Sequence, residues 1–459
     1  MMANGMPDQG EIERTLRSHD ADYVEVRFDD TATNRIVYRG RELEEIGRAH
    51  SFGGNARALV NGGWGFVSFN EPSGLRRHIE EAVEAARHVG REASALAKAQ
   101  PVVDSVPLEV KKDPREVPLS AKKEILDRYN ETMLSVDGVT STNINYSDGH
   151  KRVVFASSEG SYIEQERIDV VSRLAATARK NGDMQQSSMS LGALNDFSCI
   201  ETLEETARTL GERAVELLSA PYVKAGTYTI VLDPILAGVF CHEAFGHLSE
   251  SDFVYENDRM KEIMVLGRQF GQTHLNIVDG AAVPNLRGSF KYDDEGVAAQ
   301  KTDLIRDGIL VGRLHSRETA GKMGEKLSGN ARALDYRFPP IVRMTNTYIE
   351  PGEMSFEELI ADIGEGVYAR NWFGGTTSME MFTFSAGEAY MIRDGKVAEL
   401  VRPVKLTGNL FTTLMNIDAL GTDMDFNQGG GCGKGGQMPL PVSNGSPHIR
   451  IRECVVGER

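Results

Sequence analysis

The chain has 459 residues, enough for two or three domains and a substantial core. Its 40% hydrophobic and 26% charged residues are ordinary for a globular protein, and a net charge of -16 argues against general binding to nucleic-acid phosphates. The opening residues show neither a basic n-region nor an apolar h-region, and no run reaches the ~20 apolar residues of a spanning helix, so a cytoplasmic protein with no membrane association is expected.

Val24, Val26 and Phe28 alternate with Glu25 and Arg27, which predicts a strand. Residues 35–38, 56–60 and 65–69 read as further strands, punctuated by glycine pairs. Ser73 reads as the cap of a helix with Leu75, Ile79, Ala82, Val83, Ala86 and Val89 on one face. A strand-rich module closed by that helix accounts for residues 1–100. Pro101, Pro107, Pro114 and Pro118 then mark an extended connection. A helix from Ser120, strands over 140–146, 151–157, 161–165 and 168–179, and a helix over 202–220 make a middle module, residues 101–222. Thr202 and Glu205 have the spacing of a capping box for its last helix.

Strands dominate the remainder, residues 223–459, with candidates at 227–232, 309–314, 341–349, 382–385, 389–393 and 396–405. Short helices are expected near 355–363 and 408–419. The predicted fold class is therefore α+β: N-terminal α/β modules followed by a β-rich C-terminal domain. That domain carries one helix of a different kind. Asp233-Pro234 reads as an N-cap with proline at the first helical position, and Leu236, Val239 and Phe240 follow at helical spacing.

This helix leads into Cys241-His242-Glu243-Ala244-Phe245-Gly246-His247. Neutral imidazoles are good metal ligands, and an adjacent glutamate can take a proton from a metal-activated water. The histidines, however, stand at i and i+5. On a regular helix that is about 140° apart with a rise of about 7.5 Å, too divergent for one ion. The helix must widen by one residue, as in a π-bulge, or end near Gly246. The alternative is a pair of core histidines with an incidental glutamate.

A third ligand is required. Cys432 stands out within Gln428-Gly-Gly-Gly-Cys-Gly-Lys-Gly-Gly-Gln437, where glycines let the backbone turn sharply and present a thiolate. Otherwise this is a surface loop with an incidental cysteine. Its glycine pattern fails as a phosphate cradle, because no helix follows and Pro439 and Pro441 argue against one. Cys199, Cys241 and Cys454 read as structural, and without a CxxC pair all four cysteines are expected reduced. Glu250 and Asp252 are candidate partners of the imidazoles or simple helix-end residues. Asp293-Asp294-Glu295-Gly296 reads as a solvated acidic turn, the alternative being a site for a cation or a substrate amine.

The His-Glu-x-x-x-His stretch with Cys432-Gly-Lys-Gly-Gly-Gln437 downstream resembles the TldD subunit of the TldD/TldE (PmbA) metalloproteases. Tyr292-Asp-Asp-Glu-Gly296, Pro340–Tyr348 and Phe384–Tyr390 support the likeness, which spans most of the chain. The resemblance implies a Zn2+-dependent peptidase with His242, His247 and Cys432 as ligands and Glu243 as catalytic base. It implies a peptide substrate and a dimer, with a TldE/PmbA-like paralogous subunit or with itself. The alternative is a non-catalytic, zinc-containing regulatory or peptide-binding protein; the family has also carried a label as a modulator of DNA gyrase.

Overall fold

A computed structural model describes residues 6–90, 96–378 and 380–458, with the side chains of 378 and 458 left aside. The N-terminal half is built on one sheet with two helical layers. The strands are β1 (Tyr23–Arg39), β2 (Glu42–Val60), β3 (Gly63–Phe69), β4 (Val103–Val106), β5 (Val139–Ser157), β6 (Tyr162–Lys180) and β7 (Asp183–Leu194). Their order is β3-β2-β1-β5-β6-β4, with β7 also on β6. β1 pairs antiparallel with β5 along nearly its whole length, so strands from both sides of the proline-rich connection share one sheet.

β5 and β6 each run 19 residues, about 60 Å at ~3.3 Å per residue. That length carries two separate cores. At one end α1 (Gln9–Leu16) and α2 (Leu75–Val89) cover Val24, Val26, Phe28, Ala56 and Ala58. At the other, α3 (Leu119–Leu134) and α4 (Glu204–Leu217) cover Ile36, Tyr38, Ile144, Tyr146 and Leu174. The middle of β1 is half-exposed and polar, which is why it reads as two strands in the sequence.

Several local expectations are corrected. Gly74, at φ 87°, is the N-cap of α2, and Ser73 makes no cap there. Val89 is exposed, although it has the right spacing for the buried face. Thr202 caps nothing: Leu203 is the N-cap of α4, with no side-chain bond. β7 was not anticipated. Residues 309–314 supply only a two-residue strand, Ile309–Leu310.

In the C-terminal half, β8 (Gly226–Leu232) lies between Glu365–Ser378 and Ile449–Glu458. Val404–Asn409 and Met381–Arg393 continue the sheet, and Met381–Arg393 pairs back to Glu365–Ser378. Five strands thus close on themselves and leave no free edge among them. A second sheet contains Ile277–Gly280, Asn346–Ile349, Ser443–Ser446 and Asp425–Asn427. The helix α5 (Pro234–Cys241) leaves β8 and packs between the two sheets. Gly238 permits the approach: a Cβ there would stand 2.8 Å from the Asn444 carbonyl oxygen.

Candidate metal centre

Asp233 starts α5. Its Oδ1 accepts the Leu236 N–H at 2.9 Å and the Asn371 N–H at 3.0 Å, tying the helix to the barrel. Burial pushes this carboxyl up to about 6, against the pull of those two backbone donors.

After Cys241 the helix widens into a π turn over His242–Gly246, in which the His247 N–H donates to the His242 carbonyl. The extra residue turns the i and i+5 rings toward each other. Their centroids are 5.1 Å apart with planes at 80°. Gly246 fits this packing without displacing its neighbour, because a Cβ would sit 2.0 Å from Met344 Sδ.

The glycine-rich stretch is a hairpin. Gly431–Lys434 pairs with Gln437–Pro441, placing Cys432 opposite Leu440 and Lys434 opposite Gln437. Gly435 and Gly436 form the two-residue turn with φ 57° and 76°, the left-handed pair that a tight hairpin turn demands. Arg343, fully buried, donates Nη2 to the Cys432 carbonyl at 2.8 Å and Nη1 to the Gln437 carbonyl at 3.3 Å. A buried guanidinium thus anchors both strands of the hairpin.

These two elements bring the three candidate ligands together. Ligand atoms of His242, His247 and Cys432 all lie within 4.8 Å of one another, and Cys432 Sγ is 3.5 Å from His247 Nε2. A tetrahedral ion with nitrogen and sulfur donors needs about 3.3–3.8 Å between ligand atoms. Burial raises the Cys432 thiol, but His242 and His247 together outweigh it and hold the thiol at about 5. Among the described residues His242 Nδ1 is buried with no hydrogen-bond partner. A sulfur and two imidazoles, one of them with an unpartnered ring nitrogen, make a donor set that suits a cation. The group is positioned to bind a metal.

His247 Nδ1 faces Glu250 Oε2 at 3.0 Å, and Lys434 Nζ reaches the same oxygen at 3.1 Å. Glu250 is buried, yet His247 and Lys434 together overcome that burial and lower its carboxyl. Asp252 takes Lys434 Nζ at 2.6 Å. Both acids therefore belong to the support of the site, joined through a lysine that the sequence reading did not single out. Glu243 is half-buried, and among the described residues its carboxylate has no hydrogen-bond or ion-pair partner.

Cys241 and Cys454 are buried in the core and Cys199 lies in a short turn before α4; all are free thiols and none belongs to the three-residue group. The acidic turn is not solvated. Asp293 and Glu295 are buried, and Glu295 receives Arg57 Nη2 at 2.6 Å and the Arg317 N–H at 2.7 Å. Asp293 accepts the N–H groups of Glu295, Val297 and Ala331.

Three family models match the chain: PmbA/TldA metallopeptidase domain 1 over 24–88, the central domain over 112–220 and the C-terminal domain over 225–458. A metalloprotease of Synechocystis sp. is 48% identical over 440 residues, covering 95% of each chain. The chain belongs to the PmbA/TldD metallopeptidase family. A zinc metalloprotease TldD homolog of Saccharolobus solfataricus is 28% identical and covers 95% of this chain and 97% of its own. The family fold is shared with TldE of Thermococcus kodakarensis, at a TM-score of 0.74 and 18% identity, covering 98% of each chain. A Thermotoga maritima protein described as a candidate DNA gyrase modulator superposes with a TM-score of 0.78 at 20% identity, covering 95% of this chain and 96% of its own. Among the described residues no helix is long and apolar enough to cross a membrane.

Proposed function

We propose that this chain is a zinc-dependent peptidase acting on unfolded peptides or small proteins. Zinc is held by His242, His247 and Cys432, and Glu243 is the general base. The carrying observation is the convergence of three ligand atoms from two distant segments within 4.8 Å. Two neutral imidazoles and one thiolate leave a net charge of +1 at the site. The ion's contribution, when bound, is Lewis acidity toward water and the peptide carbonyl. His247 keeps 28% of its side chain exposed, which leaves solvent and substrate access on that side.

Glu243 takes the water's proton at its unpartnered carboxylate and passes it to the departing amine. Glu250 accepts from His247 Nδ1, which fixes the tautomer that leaves Nε2 free as a donor of electrons. Lys434 balances Glu250, and Arg343 holds the hairpin that presents the thiolate. The working unit in this reading is a dimer, with a TldE/PmbA-like paralog or a second copy.

The test is Glu243→Gln. Zinc content should stay at one ion per chain while cleavage of an unfolded peptide falls about 10²-fold or more. Cleavage at the wild-type rate overturns the general-base assignment. Loss of zinc in this variant makes Glu243 a ligand instead.

A further inference from the structure

A cavity of about 810 Å³ lies between the N-terminal sheet and the C-terminal half, behind the Cys432 hairpin. β1, β5 and β6 line one side with Thr31, Ser147 and Arg167; Phe290, Arg332 and Pro441 line the other. Its size is that of a site for a small organic ligand or a few residues of peptide.

Glu109, Glu166, Asp169, Asp293 and Asp294 line it together with five arginines and lysines, so the cavity is balanced in number of charges but not in their pairing. Arg27 faces Asp29 at 2.7 Å, Lys151 faces the same acid at 3.0 Å, and Lys291 faces Asp104 at 2.7 Å. Arg332 has no carboxylate within 4.0 Å among the described residues. It is 4% exposed, lies over the Phe290 ring, and among the described residues donates to the Met344 and Pro441 carbonyls alone, at 2.6 and 2.7 Å. A guanidinium has five N–H donors, so up to three remain. Arg167 donates Nη2 to the Arg287 carbonyl at 2.6 Å, and its nearest acid, Asp169, is 3.8 Å away and is already gripped by Arg287 at 2.8 Å. Burial pushes both guanidinia below their ordinary range, helped at Arg332 by the charges of Arg167 and Arg343, which bring it to about 9, and at Arg167 by the charge of Arg287.

We propose that this cavity is a binding site for the carboxylate of an extended peptide, gripped by Arg332 and Arg167. A planar carboxylate matches the guanidinium fork and supplies the missing counter-charge. Val106, Leu108, Leu194 and Leu440 give the walls apolar area for the side chains flanking that carboxylate. Pro441 ties the site to the metal centre, because its carbonyl anchors Arg332 and it pairs with Gly431, next to Cys432. The choice of a peptide as ligand rests on the peptidase reading above. The carboxylate can come from a peptide C-terminus or from an acidic side chain.

The experiment is equilibrium binding, by fluorescence anisotropy, to the full chain carrying Glu243→Gln so that hydrolysis does not consume the probe. Three labelled peptides of one apolar sequence are compared: free C-terminus, amidated C-terminus, and amidated with one internal glutamate. Acidic peptides should bind about tenfold or more tighter than the neutral one, the strength of a charge-assisted hydrogen bond. Whichever acidic form wins names the source of the carboxylate. Arg167→Gln and Arg332→Gln should each abolish the preference. Should Arg332→Gln fail to fold by circular dichroism, Arg167→Gln decides alone, since Arg167 is 22% exposed and less embedded. The proposal is overturned if the neutral peptide binds as tightly as the acids, if none binds, or if the preference survives the folded variants. Displacement by inorganic phosphate with no peptide binding also overturns it. A wild-type chain that cleaves without charge preference sinks the cavity and spares the metal reading; charge-selective binding without cleavage does the reverse.

Discussion

Gly246→Ala tests whether the π turn is held by packing. The new methyl would lie 2.0 Å from Met344 Sδ and 3.3 Å from its Cε, against ordinary contact distances of about 3.5–4.0 Å. Something must move by about 1.5 Å. Met344 is fully buried, so its side chain retreats only by displacing packed neighbours. The expected cost is about 1–3 kcal/mol, the usual range for overpacking a filled core. The other way to relieve the clash is for the turn to withdraw, which carries His247 Nε2 away from Cys432 Sγ, now 3.5 Å distant. Stability should be followed by urea unfolding and metal retention by competition with a chelator. Met344→Ala in the same chain should recover part of the loss, giving a coupling of about 1–2 kcal/mol in a double-mutant cycle. An alanine variant as stable as wild type, with unchanged metal retention and no coupling to Met344, would refute the packing argument.

Two further outcomes follow from the same geometry. Glu250→Gln removes the charged acceptor of His247 Nδ1 and should weaken zinc affinity about 10–100-fold; unchanged affinity would remove Glu250 from the support of the site. Asp233 has a folded-state pKa of about 6, above its unfolded value of about 3.9, so its contribution is full below pH ~4 and is lost as pH rises through ~6. Asp233→Asn keeps an oxygen for the Leu236 and Asn371 N–H groups without that loss. It should therefore be more stable than wild type above pH ~6.5, by at most about 3 kcal/mol, and show no gain near pH 4. Denaturation midpoints at the two pH values check this, and an equal difference at both would contradict it.

The helix that carries His242 and His247 was legible because its signals are local. Asp233-Pro234 starts a helix, and histidines five apart cannot serve one ion unless the turn widens; the π turn at His242–Gly246 is that widening. The hairpin was legible in part. Glycines around Cys432 announced a sharp bend, but the left-handed pair at Gly435 and Gly436 and the anchor from Arg343 depend on register and tertiary contact. The acidic turn was misread for the same reason, since Arg57 is 238 residues from Glu295 in the chain. Capping failed where glycine competed: Gly74 takes a left-handed conformation that ends the need for Ser73. β1 and β5 were each broken in two because polar residues such as Asp148-Gly149 fall mid-strand, between the two helix-covered ends.

The central claim is that two imidazoles from a widened helical turn and one sulfur from a distant hairpin hold the same ion. X-ray absorption at the zinc edge of the protein purified without chelator measures that directly. The account predicts one sulfur at about 2.3 Å and two or more nitrogen or oxygen donors at about 2.0 Å, with the sulfur lost in Cys432→Ser. A zinc shell without sulfur, or one that keeps its sulfur in Cys432→Ser, would contradict it.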